Sequence, residues 1–268
     1  MRIAISAVVL ALVLSSCASG YQSFYEPAPG ATQERIDARR ANPPPAFPQV
    51  ERIAPGDPQD ISAAYQKRGY EIIGVSSFNS GGSVNDEGAI KHGKVVGADL
   101  VVLINPQYTG TVSSVVPLTT PTSTTSRTTG SATAYTPNGP ITAYGSSTTT
   151  TYGTKTTYIP MSTDRYDYAA LYMVKVKYRV GLYTRPLDDE ERQRYETNRG
   201  AIVRLVVDGT PAFYADILPG DMLLSLHGHQ INSPEEFSRL ADQLAGTTVD
   251  VRLLRNGREI TKQLTLAK

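Results

Sequence analysis

The stretch Gly200-Ala201-Ile202-Val203-Arg204-Leu205-Val206-Val207-Asp208-Gly209-Thr210-Pro211 decides the fold of the C-terminal third of the chain. Its first eight residues are apolar and β-branched, the composition of a strand, and Asp208-Gly209-Thr210-Pro211 stops that strand with turn chemistry. Downstream, Ala212 to Ile217 suits a short helix closed by Pro219-Gly220-Asp221, and Met222 to Leu226 is a second apolar strand. His227-Gly228-His229 reads as a tight turn into Gln230-Ile231, with Gly228 supplying a positive φ. Ser233-Pro234-Glu235-Glu236 starts a helix: Ser as N-cap, Pro in the first helical position and acids in the first turn. Phe237, Leu240, Ala241 and Leu244 then share one face of that helix, which Gly246 ends. Thr248 to Arg255 and Arg258 to Leu266 form a hairpin around Asn256-Gly257. Upstream, Val180-Gly181-Leu182 is an apolar-Gly-apolar turn that leads into the whole series.

This order of elements resembles a PDZ domain of the type found in bacterial HtrA-like proteases. Val180-Gly181-Leu182 stands where that family has its carboxylate-binding loop, and Gly209-Thr210-Pro211-Ala212 matches its Gly-Ser-Pro-Ala turn. Gly220-Asp221 matches its Gly-Asp before a strand, and His227-Gly228 its Asn-Gly turn; Asp216 replaces a common Gly. The resemblance spans residues 178–268 and implies a partly open β-barrel with two helices.

It also implies a peptide groove, in which an extended guest adds a strand to an exposed edge while pockets read alternate side chains. The N–H groups of Val180, Gly181 and Leu182 are then expected to form a nest for a terminal carboxylate, with Gly181 leaving room for close approach of the guest. Arg179 or Lys177 is expected to add a charge-assisted contact, and Leu182, Phe237 and Leu240 to line the apolar pocket. Thr184 continues the edge, and Pro186, lacking an N–H, ends the pairing after roughly three guest residues. The competing reading makes Phe237 and Leu240 ordinary core residues beside a vestigial or self-filled groove.

The N-terminus addresses the compartment. Met1-Arg2 is a short positive region, and Ile3 to Leu14 is apolar over a signal-peptide length, short of a bilayer span. Leu14-Ser15-Ser16-Cys17 resembles a bacterial lipoprotein signal, which implies cleavage after residue 16 and lipidation of Cys17, the only cysteine. Several acyl chains hold a membrane firmly, since each buried CH₂ contributes about 0.8 kcal/mol. Ala18 after the cysteine resembles an outer-membrane sorting signal. Residues 17–58, with Pro43-Pro44-Pro45, Pro48, Pro55 and Pro58, read as a Pro-rich tether containing at most a short helix near Gln33 to Arg40. Without Arg2, 25 basic residues balance 25 acidic ones, which points away from nucleic acid or a strongly charged partner.

Residues 59–177 read as a small α/β sandwich-like domain, so the chain as a whole is α+β. Ile61 to Arg68 suits a helix, Tyr70 to Val75 a strand, Asn85-Asp86-Glu87 the start of a second helix, and Asp99 to Ile104 a buried strand. Strand, helix and strand in this spacing form a βαβ-like unit, whose right-handed crossover makes the two strands parallel if both lie in one sheet. Ala169 to Tyr178 alternates and joins the sheet before entering the PDZ-like loop. Residues 109–163 are a low-complexity insertion, roughly half Thr or Ser, with only Arg127 and Lys155 charged. Thr and Tyr favour the arms of a long exposed hairpin, whereas the lack of large aliphatic residues favours disorder; a partly extended, mobile arm is the expectation.

Catalysis is not expected. Asn79-Ser80-Gly81-Gly82 looks like the nucleophile loop of trypsin-like proteases, but the first histidine, His92, follows Ser80, where those proteases have His and Asp before it. His227 and His229 straddle a turn without an evident third metal ligand, and no phosphate-cradling glycine motif is present, so no cofactor or metal is expected. Asp188-Asp189-Glu190-Glu191-Arg192 reads as a solvated helix start. The expected protein is an outer-membrane lipoprotein facing the periplasm, an adaptor for C-termini or extended segments of envelope proteins. The alternative is a structural lipoprotein whose middle domain makes the functional contact and whose PDZ-like domain is a packing module.

Overall fold

The computed structural model describes residues 19–268, so Cys17 and the expected signal lie outside the described residues. In chain order the elements are α1 (Gly20–Ser23), β1 (Tyr25–Pro27), α2 (Gln33–Arg39), β2 (Gln49–Ile53), α3 (Pro58–Lys67), β3 (Tyr70–Ser80), α4 (Glu87–Val95), β4 (Leu100–Thr136), β5 (Gly139–Lys175) and β6 (Leu182–Arg185). They continue with α5 (Asp189–Tyr195), β7 (Ala201–Val206), α6 (Pro211–Tyr214), β8 (Met222–Leu226), β9 (His229–Gln230), α7 (Pro234–Gln243), β10 (Thr248–Arg255) and β11 (Arg258–Thr265). No helix among the described residues is long and apolar enough to cross a membrane.

The first sheet has the order β1-β3-β5-β4-β2. Leu100, Val101, Val102 and Leu103 of β4 are all buried, because helices cover both faces of the sheet. Leu100, Val102 and Met173 pack on one face with Ile61 and Tyr65 of α3. On the other face α4 comes close: a Cβ at Gly93 would collide with Val101 Cγ2, and Tyr172 Cδ1 lies 3.5 Å from that position. The predicted strand-helix-strand unit is β3-α4-β4, but its two strands are not neighbours; β5 separates them.

Residues 19–53 differ from the expected tether. Tyr21 is buried, β1 pairs with β3 from Tyr25↔Ser76 to Pro27↔Gly74, and β2 lies parallel to β4 from Gln49↔Leu100 to Ile53↔Ile104. Pro43, Pro44 and Pro45 are confined to a connection, which leaves the short flanking runs free to pair. These two strands bury little of their own and gain their structure from the sheet they join.

Residues 108–166 form a compact unit of their own. This unit is a two-stranded hairpin turned at Pro137-Asn138, with cross-strand hydroxyl contacts Thr119–Thr156 (3.1 Å), Thr125–Thr150 (3.2 Å) and Thr133–Thr142 (2.9 Å). Each step of six or eight residues along one strand is matched along the other, so the register holds without a bulge between these pairs.

The C-terminal sheet has the order β11-β10-β8-β7-β6, with β9 on β8. It is an open sheet: β6 and β11 are its two ends, where a partly open barrel was expected. Val203, Leu223, Leu226, Val251, Leu253 and Leu264 pack beneath α7, which contributes Phe237, Leu240 and Ala241. The turns follow the sequence chemistry, with φ of 51° at Asn256 and 77° at Gly257, and of 49° at His227 and 81° at Gly228, the paired positive values of a tight hairpin turn. Asp216 holds φ 56° where the resembling family commonly has glycine. Hydrogen bonds tie this sheet to α3, the helix packed on the preceding one: Asp208 N–H to Lys67 O (2.8 Å) and Arg204 Nη2 to Gln66 Oε1 (2.8 Å).

Candidate peptide-binding site

β6 is the end strand of its sheet, so one of its edges is unpaired among the described strands. Val207 N–H donates to Gly181 O at 2.9 Å, which makes Leu182↔Val206 a non-hydrogen-bonded pair of the ladder. The N–H and C=O of Leu182 therefore point to the open side. A bulge between Tyr183 and Thr184 then shifts the register, and Pro186 ends the donor row. Arg185 anchors this end: its guanidinium meets both Glu191 oxygens at 2.7 Å, and Glu191 also closes a capping box with Asp188 on α5. The Arg185 hydrogen bonds hold the Glu191 carboxyl below its ordinary pKa, despite partial burial that works the other way.

The loop before β6 is held from inside. Val180 is buried, its carbonyl accepts from Ala212 N–H at 2.9 Å, and Gly181 lies at φ 89°. With these two carbonyls turned onto the domain, the Val180 and Gly181 N–H groups have no hydrogen-bond partner among the described residues. Adjacent free N–H groups around a positive-φ residue are the backbone pattern of an anion-binding nest. Glycine is also required here from within the domain. A Cβ at Gly181 would run into Thr210, whose Cγ2 would lie only 2.6 Å away, and Thr210 is fixed by its own hydrogen bond to Val207 O at 2.6 Å.

A cleft of about 710 Å³ opens beside this loop. Arg179, Val180, Gly181, Leu182 and Phe237 line it, together with Lys177, Ala241 and Asp242. Leu240 does not line it; the side chain is 6% exposed and belongs to the core beneath α7. Thr184 lies farther along the edge, opposite Val203, and is also outside the cleft lining. Arg179 leans across to α7, with Nε 3.5 Å from Asp242 Oδ1. The sequence reading missed Arg35, Ala38 and Arg39 of α2, which line the same cleft. A signal was present, because Arg35 and Arg39 are four residues apart and share a helical face.

Other residues singled out by sequence lie elsewhere. Ser80 Oγ accepts from Gly82 N–H at 3.1 Å. His92 is buried between the rings of Tyr25 and Tyr172, with centroids 4.5 and 5.2 Å away. The outer face of β6 carries Tyr183, whose hydroxyl meets the Tyr178 hydroxyl and donates to Glu71 Oε1 at 3.2 Å; burial pushes its pKa up to about 12.

Residues 179–266 match the family model described as a PDZ domain. Part of the chain is similar to Serine protease Do-like HtrA of Bacillus subtilis, 36% identical over 73 residues, which is 26% of this chain and 16% of that protein. Another similarity is to Periplasmic pH-dependent serine endoprotease DegQ of Escherichia coli, 39% identical over 72 residues, covering 26% of this chain and 16% of that one. Among solved structures, the HtrA3 PDZ domain bound to a phage-derived ligand aligns with TM-score 0.30 and 17% identity, over 34% of this chain and 85% of that one. The C-terminal segment is thus a PDZ domain of the HtrA-like type, and the chain spans only a small part of these curated relatives' length.

Proposed function

We propose that this chain is a non-catalytic, lipid-anchored adaptor of the bacterial cell envelope that binds C-terminal or extended peptide segments of envelope proteins. One observation carries the reading: the Val180 and Gly181 N–H groups lack partners among the described residues and sit at the head of an unpaired strand edge, beside a cleft walled by Leu182 and Phe237. A guest strand satisfies such an edge through main-chain hydrogen bonds, its carboxylate takes the free amides, and the apolar wall receives the last side chain. An envelope location agrees with the lipoprotein-like sequence at Cys17 and with the word periplasmic in the names of relatives of the PDZ domain.

The test is a binding titration of the full chain against peptides ending in an apolar residue, each made as the free acid and as the C-terminal amide. The reading predicts saturable binding of free acids and weaker binding of the matching amides. Equal binding of both forms, or of neither, overturns it. Lipidation has its own test: Cys17→Ser is expected to move the protein from the membrane fraction to the soluble fraction of the producing cell.

A further inference from the structure

The cleft draws one wall from outside the PDZ domain. The C-terminal end of α2 is bonded to the residues that run into the loop: Lys177 N–H donates to Arg39 O at 2.8 Å, Ala41 N–H to Lys175 O at 2.9 Å, and Arg40 bridges Val176. These bonds set α2 beside Val180 through main chain, so its side chains do not depend on loose surface packing for their place. The wall is basic. Arg35, Arg39, Lys177, Arg179 and Lys268 line the cleft against the single acid Asp242. Arg179 already faces Asp242, and Arg39 is engaged by Glu71 at 2.6 Å. Arg35 has no side-chain hydrogen bond or ion pair among the described residues, although its guanidinium is packed against Gly30.

We propose that Arg35 is a carboxylate-binding residue for the peptide groove, supplied by the domain that precedes the PDZ domain. The guest is an extended peptide with an apolar last side chain and a free α-carboxylate. That carboxylate is shared between the Val180 and Gly181 N–H groups and the Arg35 guanidinium, whose planar donors suit a carboxylate better than an ammonium does. The apolar side chain follows from Leu182, Phe237 and Ala241, and the anionic end from the excess of cations at the loop. The inference rests on the peptide-groove reading, and it adds that residues 178–268 alone hold an incomplete site.

The experiment uses the full chain as wild type, Arg35→Ala and Arg35→Lys, each titrated with one apolar-ended peptide as free acid and as amide. Arg35→Ala is expected to weaken the free acid about tenfold, the scale of one charge-assisted contact, and to leave amide binding unchanged. Arg35→Lys is expected to recover part of the loss, and raising the salt to shrink it. If the wild type prefers the acid and Arg35→Ala keeps that full preference, Arg35 has no such role while the groove reading stands. Equal losses for acid and amide also overturn the inference, since they mark a purely structural side chain. A wild type indifferent to the acid overturns the groove reading itself.

Discussion

Replacing Gly181 by alanine tests how the carboxylate loop is built. Two costs add at this position. A residue with a Cβ held at positive φ loses roughly 1–2 kcal/mol. The new methyl also collides with Thr210, and forcing an extra methyl into a packed site costs roughly 1–3 kcal/mol. Rotating the Thr210 side chain gives little relief, because its Cβ is itself among the colliding atoms and its hydroxyl holds Val207 O. Gly181→Ala is therefore expected to destabilise by about 2–5 kcal/mol. Thr210→Gly alone loses one hydrogen bond, about 1 kcal/mol, and adds chain entropy worth roughly 0.5–1 kcal/mol. Combining the two removes the collision and keeps the φ cost, so the double variant should lose about 1–3 kcal/mol less than the sum of the single losses. Urea unfolding of the four proteins, followed by circular dichroism, measures this coupling. Losses that add to within about 0.5 kcal/mol would refute the account of Gly181 as wedged against Thr210.

Asp221 is 1% exposed, accepts from Leu218 N–H at 2.8 Å and meets Arg255 through Nε at 2.7 Å and Nη2 at 2.8 Å. Asp221→Ala is expected to cost about 3 kcal/mol in urea unfolding; a loss under about 1 kcal/mol would mean that Asp216 alone suffices for Arg255. His92 is buried with both ring nitrogens unpaired among the described residues, and burial lowers its pKa from 6.5. The unfolded chain then takes up a proton below about pH 6.5 that the folded chain refuses, so this contribution is full above that pH and is lost as pH falls. Thermal melts at pH 7.5 and 5.5 should show a smaller drop for His92→Phe than for the wild type; an equal drop would remove His92 from the cause. Gly93→Ala should gain about 1 kcal/mol of helix propensity and lose roughly 1–3 kcal/mol against Val101, Pro48 and Tyr172. A melting temperature above the wild type would show that α4 is not pressed onto the sheet there.

The C-terminal elements were legible because each carries local chemistry that tertiary context did not override. Ser233 caps α7 by accepting from Glu236 N–H, and Asn256-Gly257 takes the two positive φ values its turn requires. β1 and β2 were not legible, since three and five residues without a strong period acquire strand form only from their partners β3 and β4. The insertion had the composition for either an extended arm or disorder, and the regular pairing of Thr119, Thr125 and Thr133 with Thr156, Thr150 and Thr142 is a property of register, which composition does not encode. At the site, the loop residues followed from the motif, while Leu240 separated from Phe237 because only one of these two apolar positions of α7 reaches the cleft. Arg35 and Arg39 were not legible as a wall of the cleft, because the Pro-rich composition around them is that of a tether and their place beside the loop is set by tertiary hydrogen bonds.

The central claim is that the main-chain amides of Val180 and Gly181 receive a guest carboxylate. Amide chemical shifts of the full chain, followed by NMR during titration with an apolar-ended free-acid peptide, test it directly. The account predicts that the Val180 and Gly181 amide protons move strongly downfield with the free acid and far less with its amide. Unmoved signals at these two positions while the peptide binds elsewhere would contradict it.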